Sequence, residues 1–375
     1  MHNNPKFIIS GGGTGGHIFP AIAIADALKR KLPQAEILFV GAKGRMEMEK
    51  VPSAGYQIIG LWISGLQRRI TTQNILFPIK IVASLLKARS IIRSFKPDAV
   101  IGVGGYASGP TLRAAVAMGI PTIIQEQNSY PGITNKILAS KVNKICVAYD
   151  GMDKYFPKSG IVITGNPVRR DIAMFSDKRE EALSYFGLRK DSPVVLVIGG
   201  SLGARTINES ILNSLNLFAG NGLQLIWQTG NSFAQKAEEA IRTYEVKGLR
   251  THSFITRMDM AYAAADIIVS RAGAIAISEL CLIGKPSILV PSPNVAEDHQ
   301  TKNAMALVAN NAAILIKDSD ALNTLGATII SLVKNNAQKE QLSTNIRQLA
   351  YPDAADHIAD EIIGCLKTKI KKIVK

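Results

Sequence analysis

The run Ser10-Gly11-Gly12-Gly13-Thr14-Gly15-Gly16-His17 joins a short apolar segment, Phe7-Ile8-Ile9, to a helical pattern from Pro20 to Leu28. Strand, glycine loop and helix follow in the order of a phosphate-cradling turn. Glycines leave backbone N–H groups uncovered, and the helix N-terminus adds partial positive charge. His17 stands at the mouth of the loop, a ring that titrates near neutral pH and suits proton transfer. Gly11, Gly13 and Gly16 satisfy GxGxxG, but a dinucleotide fold also wants an acid after the second strand to hold a ribose. Here Ile37-Leu38-Phe39-Val40 runs into Gly41-Ala42-Lys43. A nicotinamide-dependent oxidoreductase is therefore disfavoured. A phosphate-bearing ligand and a plain tight turn both stay open.

Three further stretches carry polar chemistry. Arg271 to Leu280 follows an apolar run and opens a helical pattern with small residues, which lets an anion such as a diphosphate approach. Glu279 falls about a turn and a half inside that pattern, where a carboxylate can accept hydrogen bonds from the vicinal hydroxyls of a ribose. Gln125-Glu126-Gln127-Asn128 ends the Pro121–Ile124 strand and suits a polyhydroxyl ligand; an ordinary solvated loop is the alternative. Pro291 to Ala304 is a polar loop entering a helix and offers amide and imidazole groups to sugar hydroxyls. Gly104-Gly105-Tyr106-Ala107-Ser108-Gly109-Pro110 is another glycine loop, fit for a second phosphate.

No metal or cofactor is expected. The five histidines form no HxH or HExxH pair, and Asp318-Ser319-Asp320, a literal DxD, reads as a helix start with Asp320 as N-cap. Cys146, Cys281 and Cys365 are odd in number and widely spaced, which fits a reducing compartment.

The elements that must position these groups alternate strand and helix, the pattern of parallel sheets with crossover helices. An internal echo refines this. Phe7–Ser10 with its glycine loop matches Val194–Ile198 followed by Gly199-Gly200-Ser201-Leu202-Gly203-Ala204-Arg205. Asp98–Gly105 matches Asp266–Gly273, and Gly119–Ile124 matches Gly284–Leu289. Three matched segments in one order predict two similar α/β domains, 1–165 and 166–352. The seam lies near Gly165-Asn166-Pro167-Val168-Arg169, where Asn-Pro breaks regular structure. A C-terminal helical pattern, Ala354 to Leu366, is expected to complete the first domain with 353–375. Facing domains would place both sets of glycine loops around one cleft.

Among 375 residues, 47% are hydrophobic and 19% charged, a globular balance, and the net charge of +15 implies an acidic partner. Arg68 to Lys96 holds seven basic residues and no acid, interleaved with bulky aliphatics from Ile75 to Leu86; five more lysines fall in the last ten residues. Basic residues among aliphatics suit a membrane surface better than nucleic acid, whose binding surfaces add aromatics, only 6% here. An amphipathic helix with its apolar side in the core is the alternative. No apolar run is long enough to span a bilayer, and the N-terminus lacks a secretory signal's features.

Taken together, Gly12-Gly13-Thr14-Gly15-Gly16-His17-Ile18-Phe19-Pro20, Gly104-Gly105-Tyr106 with Ser108-Gly109-Pro110, Glu126-Gln127-Asn128, Gly165 to Arg169, Gly199 to Arg205, Ser278-Glu279 and Asp298-His299-Gln300 with Asn303-Ala304 resemble the MurG family. These are peripheral membrane N-acetylglucosaminyltransferases of bacterial peptidoglycan synthesis, in glycosyltransferase family 28. The resemblance spans nearly the whole chain and implies a GT-B fold, two Rossmann-like domains facing across a cleft. It implies inverting transfer of GlcNAc from UDP-GlcNAc to the C4 hydroxyl of MurNAc in lipid I, giving lipid II for the cell wall, and through it a part in cell shape and division. It places Thr14, Gly15, Gly16, Asn128, Arg169, Ser201, Ile255, Ala274, Ile275, Ala276, Ile277, Ser278, Glu279 and Gln300 around UDP-GlcNAc. Ile255 would read the uracil edge by its backbone, and Glu279 would hold the ribose. His17 is the expected base, with Glu126 in reserve. The first domain would take the acceptor and the membrane, the second the nucleotide sugar. Expected partners are lipid I, the anionic cytoplasmic leaflet of the inner membrane and proteins of a wall-building complex. A non-catalytic module presenting a nucleotide sugar is the competing class; His17 and Glu279 standing in full motifs argue against it.

Overall fold

A computed structural model describes residues 4–65, 76–168, 178–200, 202–244 and 248–373, with side chains except at 296 and from 367 onward. Arg169, Ser201 and the start of the Arg68–Lys96 stretch lie outside the described residues. The chain divides into two units, Met1–Arg169 with Asp353–Lys375, and Arg170–Pro352.

In the first unit the described residues form a sheet of β1 (Lys6–Ser10), β2 (Glu36–Ala42), β3 (Gln57–Leu61), β4 (Ala99–Gly102), β5 (Thr122–Glu126), β6 (Lys144–Val147) and β7 (Ile161–Ile163). Their order is β3-β2-β1-β4-β5-β6-β7, and every pairing is parallel. Parallel strands are covered on both faces, so they read as continuous apolar runs. Alternation then sorts the side chains. Ile8, Val40, Val100 and Ile124 pack on one face, beneath the helix Phe77–Phe95. Phe7, Ile9, Phe39, Ile101 and Ile123 pack on the other, against the helix Gly15–Lys31. The C-terminal helix Ala354–Ile373 joins that second face through fully buried Ile358, Ala359 and Ile362. Ion pairs Arg30–Asp356 (2.9 Å) and Lys144–Glu361 (3.1 Å) flank it.

The second unit repeats the plan with β8 (Val194–Ile198), β9 (Gln224–Gln228), β10 (Leu249–His252), β11 (Ile267–Ser270), β12 (Ser287–Leu289) and β13 (Ile314–Leu315), ordered β10-β9-β8-β11-β12-β13 and parallel throughout. The echoed segments are the same strands of the two sheets: β1, β4 and β5 in one, β8, β11 and β12 in the other. In both, the strand order reverses beside the first strand, and loops at that crevice are where ligands of open α/β sheets bind.

Two local expectations shift. The first helix starts at Gly15 rather than Pro20, because the Thr14 carbonyl accepts from the His17 and Ile18 N–H groups (3.1 and 3.2 Å) and closes the first turn inside the glycine loop. Asp320 is not an N-cap. The helix Asp318–Lys334 begins two residues earlier, after an extended Lys317, because Asp318 is tied down by an ion pair with Arg271 and by the Thr206 hydroxyl (2.9 Å).

Candidate active site

The loop between β1 and the helix Gly15–Lys31 brings His17 to the carboxyl end of the first sheet. Its Nδ1 lies 3.2 Å from the Gly12 carbonyl oxygen and 3.3 Å from Thr14 Oγ1. A Cβ on Gly104 would meet the ring at 2.6 Å, so the loop after β4 must carry glycine there for the imidazole to lie against it. Part of the loop is filled by the protein itself. Glu47, 1% exposed at the start of the helix Glu47–Ser53, accepts the Gly13 N–H (2.8 Å) and the Ala42 N–H (2.9 Å). One anion-binding amide of the loop is already occupied by the protein's own carboxylate. Gly15 and Gly16 form the first helical turn, where the dipole remains available to a ligand.

The polar run after β5 also differs from expectation. Gln125, Glu126 and Gln127 turn inward. Gln127 donates to the Val103 carbonyl (2.8 Å), Gln125 to Asn166 Oδ1 (3.0 Å), and Asn166 returns a bond to the Gln127 carbonyl (3.0 Å). The Asn-Pro motif is thus an internal brace. Glu126 accepts from the N–H groups of Asn128 (3.0 Å) and Gly132 (3.1 Å) and from the side-chain amides of Asn128 (3.2 Å) and Asn135 (2.8 Å). Burial pushes its carboxyl above the usual range, against the downward pull of those four donors. A carboxylate so enclosed pins the 126–135 loop and leaves Asn128, half-buried, as the member of the run at the surface.

In the second unit the helix Ala274–Ile283 opens at the β11 end of the strand-order reversal, with an extended Gly273 as N-cap and no acid in its first turn. Ala274, Ile275 and Ala276 supply its first-turn amides. Ile277 does not: its N–H donates to the Gly273 carbonyl (2.9 Å), and its side chain is in the core. Ser278 bonds back to the Ala274 carbonyl (3.0 Å). Glu279 is half-buried and accepts from the hydroxyl of fully buried Tyr262 (2.9 Å). Gln300 Oε1 accepts the Ser292 N–H (2.9 Å), fixing the loop after β12. The Ile255 amide donates to Gln228 Oε1 (2.9 Å), and Gln228 Nε2 donates to the Gly200 carbonyl (3.0 Å). One side chain thus ties the expected base-reading loop to the second glycine loop.

Sequence reasoning missed Glu47, Tyr262, Gln228 and Lys285. Lys285 donates to the carbonyls of Tyr262 and Ala263 (2.6 and 2.9 Å), closing the helix that carries Tyr262, and burial pushes its ammonium down to about 8. Lys285 stands in the echoed segment Gly284-Lys285-Pro286, its one sequence signal. On the first unit, the helix Phe77–Phe95 is apolar on two sides. Ala88, Ile91 and Ile92 face the core, while Ile79, Val82 and Leu86 are 56–62% exposed. The core-facing reading of the basic stretch therefore holds for this helix, which also presents a second, exposed aliphatic side. Among the described residues, no helix is long and apolar enough to cross a membrane, and no cluster of three or more His, Cys, Asp or Glu could hold a metal.

Two doubly wound units, each with glycine-bearing loops at its strand-order reversal, make this a two-domain, Rossmann-like α/β protein. Models of the glycosyltransferase family 28 N-terminal and C-terminal domains match residues 7–147 and 194–358. The chain is 59% identical to a UDP-N-acetylglucosamine--N-acetylmuramyl-(pentapeptide) pyrophosphoryl-undecaprenol N-acetylglucosamine transferase of Porphyromonas gingivalis, over 95% of this chain and 94% of that one. It is 55% identical to the protein of the same name from Parabacteroides distasonis, over 97% and 99%. A crystal structure of Acinetobacter baumannii MurG superposes with a TM-score of 0.79 at 27% identity, covering 96% of this chain and 99% of that one. The chain belongs to glycosyltransferase family 28, and the resemblance read from its motifs is borne out.

Proposed function

We propose that the protein transfers GlcNAc from UDP-GlcNAc to the C4 hydroxyl of MurNAc in lipid I, with inversion, to give lipid II. The observation that carries this reading is the 59% identity, along nearly the full length of both chains, to a transferase so named. The local geometry suits the chemistry. His17 Nε2 takes the proton of the acceptor hydroxyl as its oxygen bonds to C1 of GlcNAc. The bond from C1 to the β-phosphate oxygen breaks, and UDP leaves with the electron pair. The amides of Ala274, Ile275 and Ala276 meet the diphosphate, where a helix N-terminus stabilises developing negative charge. Glu279, oriented by Tyr262, accepts from the ribose hydroxyls. Glu126 serves as the clamp of the acceptor-side loop rather than as a second base.

The enzyme works at the cytoplasmic face of the inner membrane. Its first unit docks through the exposed Ile79, Val82 and Leu86, with Lys80, Arg89 and Arg93 on the same helix toward an anionic leaflet. Transfer of labelled GlcNAc to a lipid I analogue, with EDTA present, tests the reaction in the wild type and in His17→Ala. General-base assistance is worth about 10² to 10⁴ in rate, so the variant should lose turnover in that range. A loss below about tenfold would make His17 an acceptor-binding residue. No product from wild-type protein that still binds UDP would favour the non-catalytic module.

A further inference from the structure

The catalytic reading leaves Glu47 without a role. Its carboxylate is buried, yet both oxygens are engaged by backbone amides 2.8 and 2.9 Å away, one from the glycine loop and one from the end of β2. The Gly13 N–H that it accepts belongs to the same peptide group as the Gly12 carbonyl that faces His17 Nδ1 at 3.2 Å. In a trans peptide these two groups point in opposite directions. Carboxylate and imidazole therefore sit at the two ends of one peptide plane. That plane is held on both sides. A Cβ on Gly12 would overlap the Glu47 carboxylate, and a Cβ on Gly105 would overlap the Gly12 carbonyl. On Gly41, a Cβ would meet Glu47 Cγ at 2.6 Å, so the strand end is also shaped around this side chain.

We propose that Glu47 is a positioning residue for His17, acting through the Gly12–Gly13 peptide; the proposal rests on His17 being the base. A carboxylate accepting the N–H polarises the peptide and strengthens its carbonyl as an acceptor, because hydrogen bonds in a chain reinforce one another. That carbonyl holds the proton on Nδ1 of the neutral ring and so leaves the lone pair on Nε2, the atom that takes the acceptor's proton. The arrangement does for this histidine what a directly bonded carboxylate does elsewhere, with one peptide group interposed.

Glu47→Gln keeps the size of the side chain and removes the charge that accepts both amides. Two measurements test the proposal. In a double-mutant cycle with His17→Ala, Glu47→Gln should lower kcat about tenfold in the wild-type background, with KM for UDP-GlcNAc unchanged, and have little effect once His17 is gone. In ¹⁵N-histidine-labelled protein, the His17 nitrogen shifts should report a smaller Nδ1–H fraction in Glu47→Gln than in the wild type. An equal loss of kcat in both backgrounds, or unchanged nitrogen shifts, would overturn the proposal. If His17→Ala alone costs less than tenfold, the base assignment fails, and the nitrogen shifts still decide whether Glu47 sets the tautomer. Should Glu47→Gln show no cooperative melting, Glu47→Asp, which retains the carboxylate and draws it back by one methylene, carries both measurements.

Discussion

At the scale of single residues, Glu126 and Asn135 make a matched pair whose protonation can be followed. The Glu126 carboxyl accepts Asn135 Nδ2 at 2.8 Å, while Asn135 Oδ1, also buried, has no hydrogen-bond partner among the described residues. A protonated Glu126 would satisfy that oxygen once the amide turned over, so the geometry accommodates the neutral acid as well as the anion. Burial raises the folded-state pKa above the unfolded value of 4.5. Between those two values the native state holds a proton that the unfolded chain has lost. Stability from this group is therefore fully present below pH 4.5 and is lost as pH rises through the folded value. Gln at the same position does not titrate. Urea unfolding of the wild type and of Glu126→Gln at several pH values should show the wild type's advantage shrinking as pH increases. An advantage that grows with pH would mean that the four N–H donors outweigh burial and that the carboxyl is held as an anion.

The helix Phe77–Phe95 turns one sequence feature into two surfaces. Ala88, Ile91 and Ile92 attach it to the sheet, and Ile79, Val82 and Leu86, spaced three and four apart, form a separate outward stripe. Lys80 stands over the Trp62 ring at 5.8 Å, and Leu86, Arg89 and Arg93 line one open groove. Burying an aliphatic side chain is worth roughly 1.5–3 kcal/mol. Ile79→Ser with Leu86→Ser should therefore weaken binding to anionic vesicles by at least about tenfold, measured by co-sedimentation, while transfer to a water-soluble acceptor analogue persists. Unchanged vesicle binding would remove this stripe from the docking surface. Periodicity made the helix legible from sequence, but which of its two apolar sides met the core needed the sheet beneath it. The same limit runs through the site. The strands and glycine loops were readable because parallel strands are plain apolar runs broken by glycine. Glu47 was not, because its partner Gly13 is 34 positions away and nothing in Met46–Ser53 marks a buried acid. The inward turn of Gln125 and Gln127 was hidden for the same reason: their partners Asn166 and Val103 come from other loops.

On the scale of the whole molecule, each unit has a core of its own, and the chain's last helix belongs to the first. Ile358 and Ile362 are fully buried beside Ile24 and Leu28, whereas Val195, Trp227 and Ile267 centre a separate core in the second unit. Deleting a buried isoleucine side chain to alanine costs about 2–5 kcal/mol. Ile362→Ala should take that stability from the first unit alone. The groups proposed to meet diphosphate and ribose in the second unit, Ala274 to Glu279 with Tyr262, share no core residue with Ile362. UDP should therefore bind Ile362→Ala with wild-type affinity, and binding should stabilise the second unit by about 2.7 kcal/mol at a hundredfold excess over Kd. Hydrogen exchange read peptide by peptide separates the two effects. In Ile362→Ala, exchange should quicken in β1, β4 and the helix Gly15–Lys31, and UDP should slow it in β8, β11 and the helix Ala274–Ile283. Faster exchange throughout both sheets, together with weakened UDP binding, would mean that the two cores unfold as one and that the C-terminal helix stabilises the nucleotide unit as well as its own.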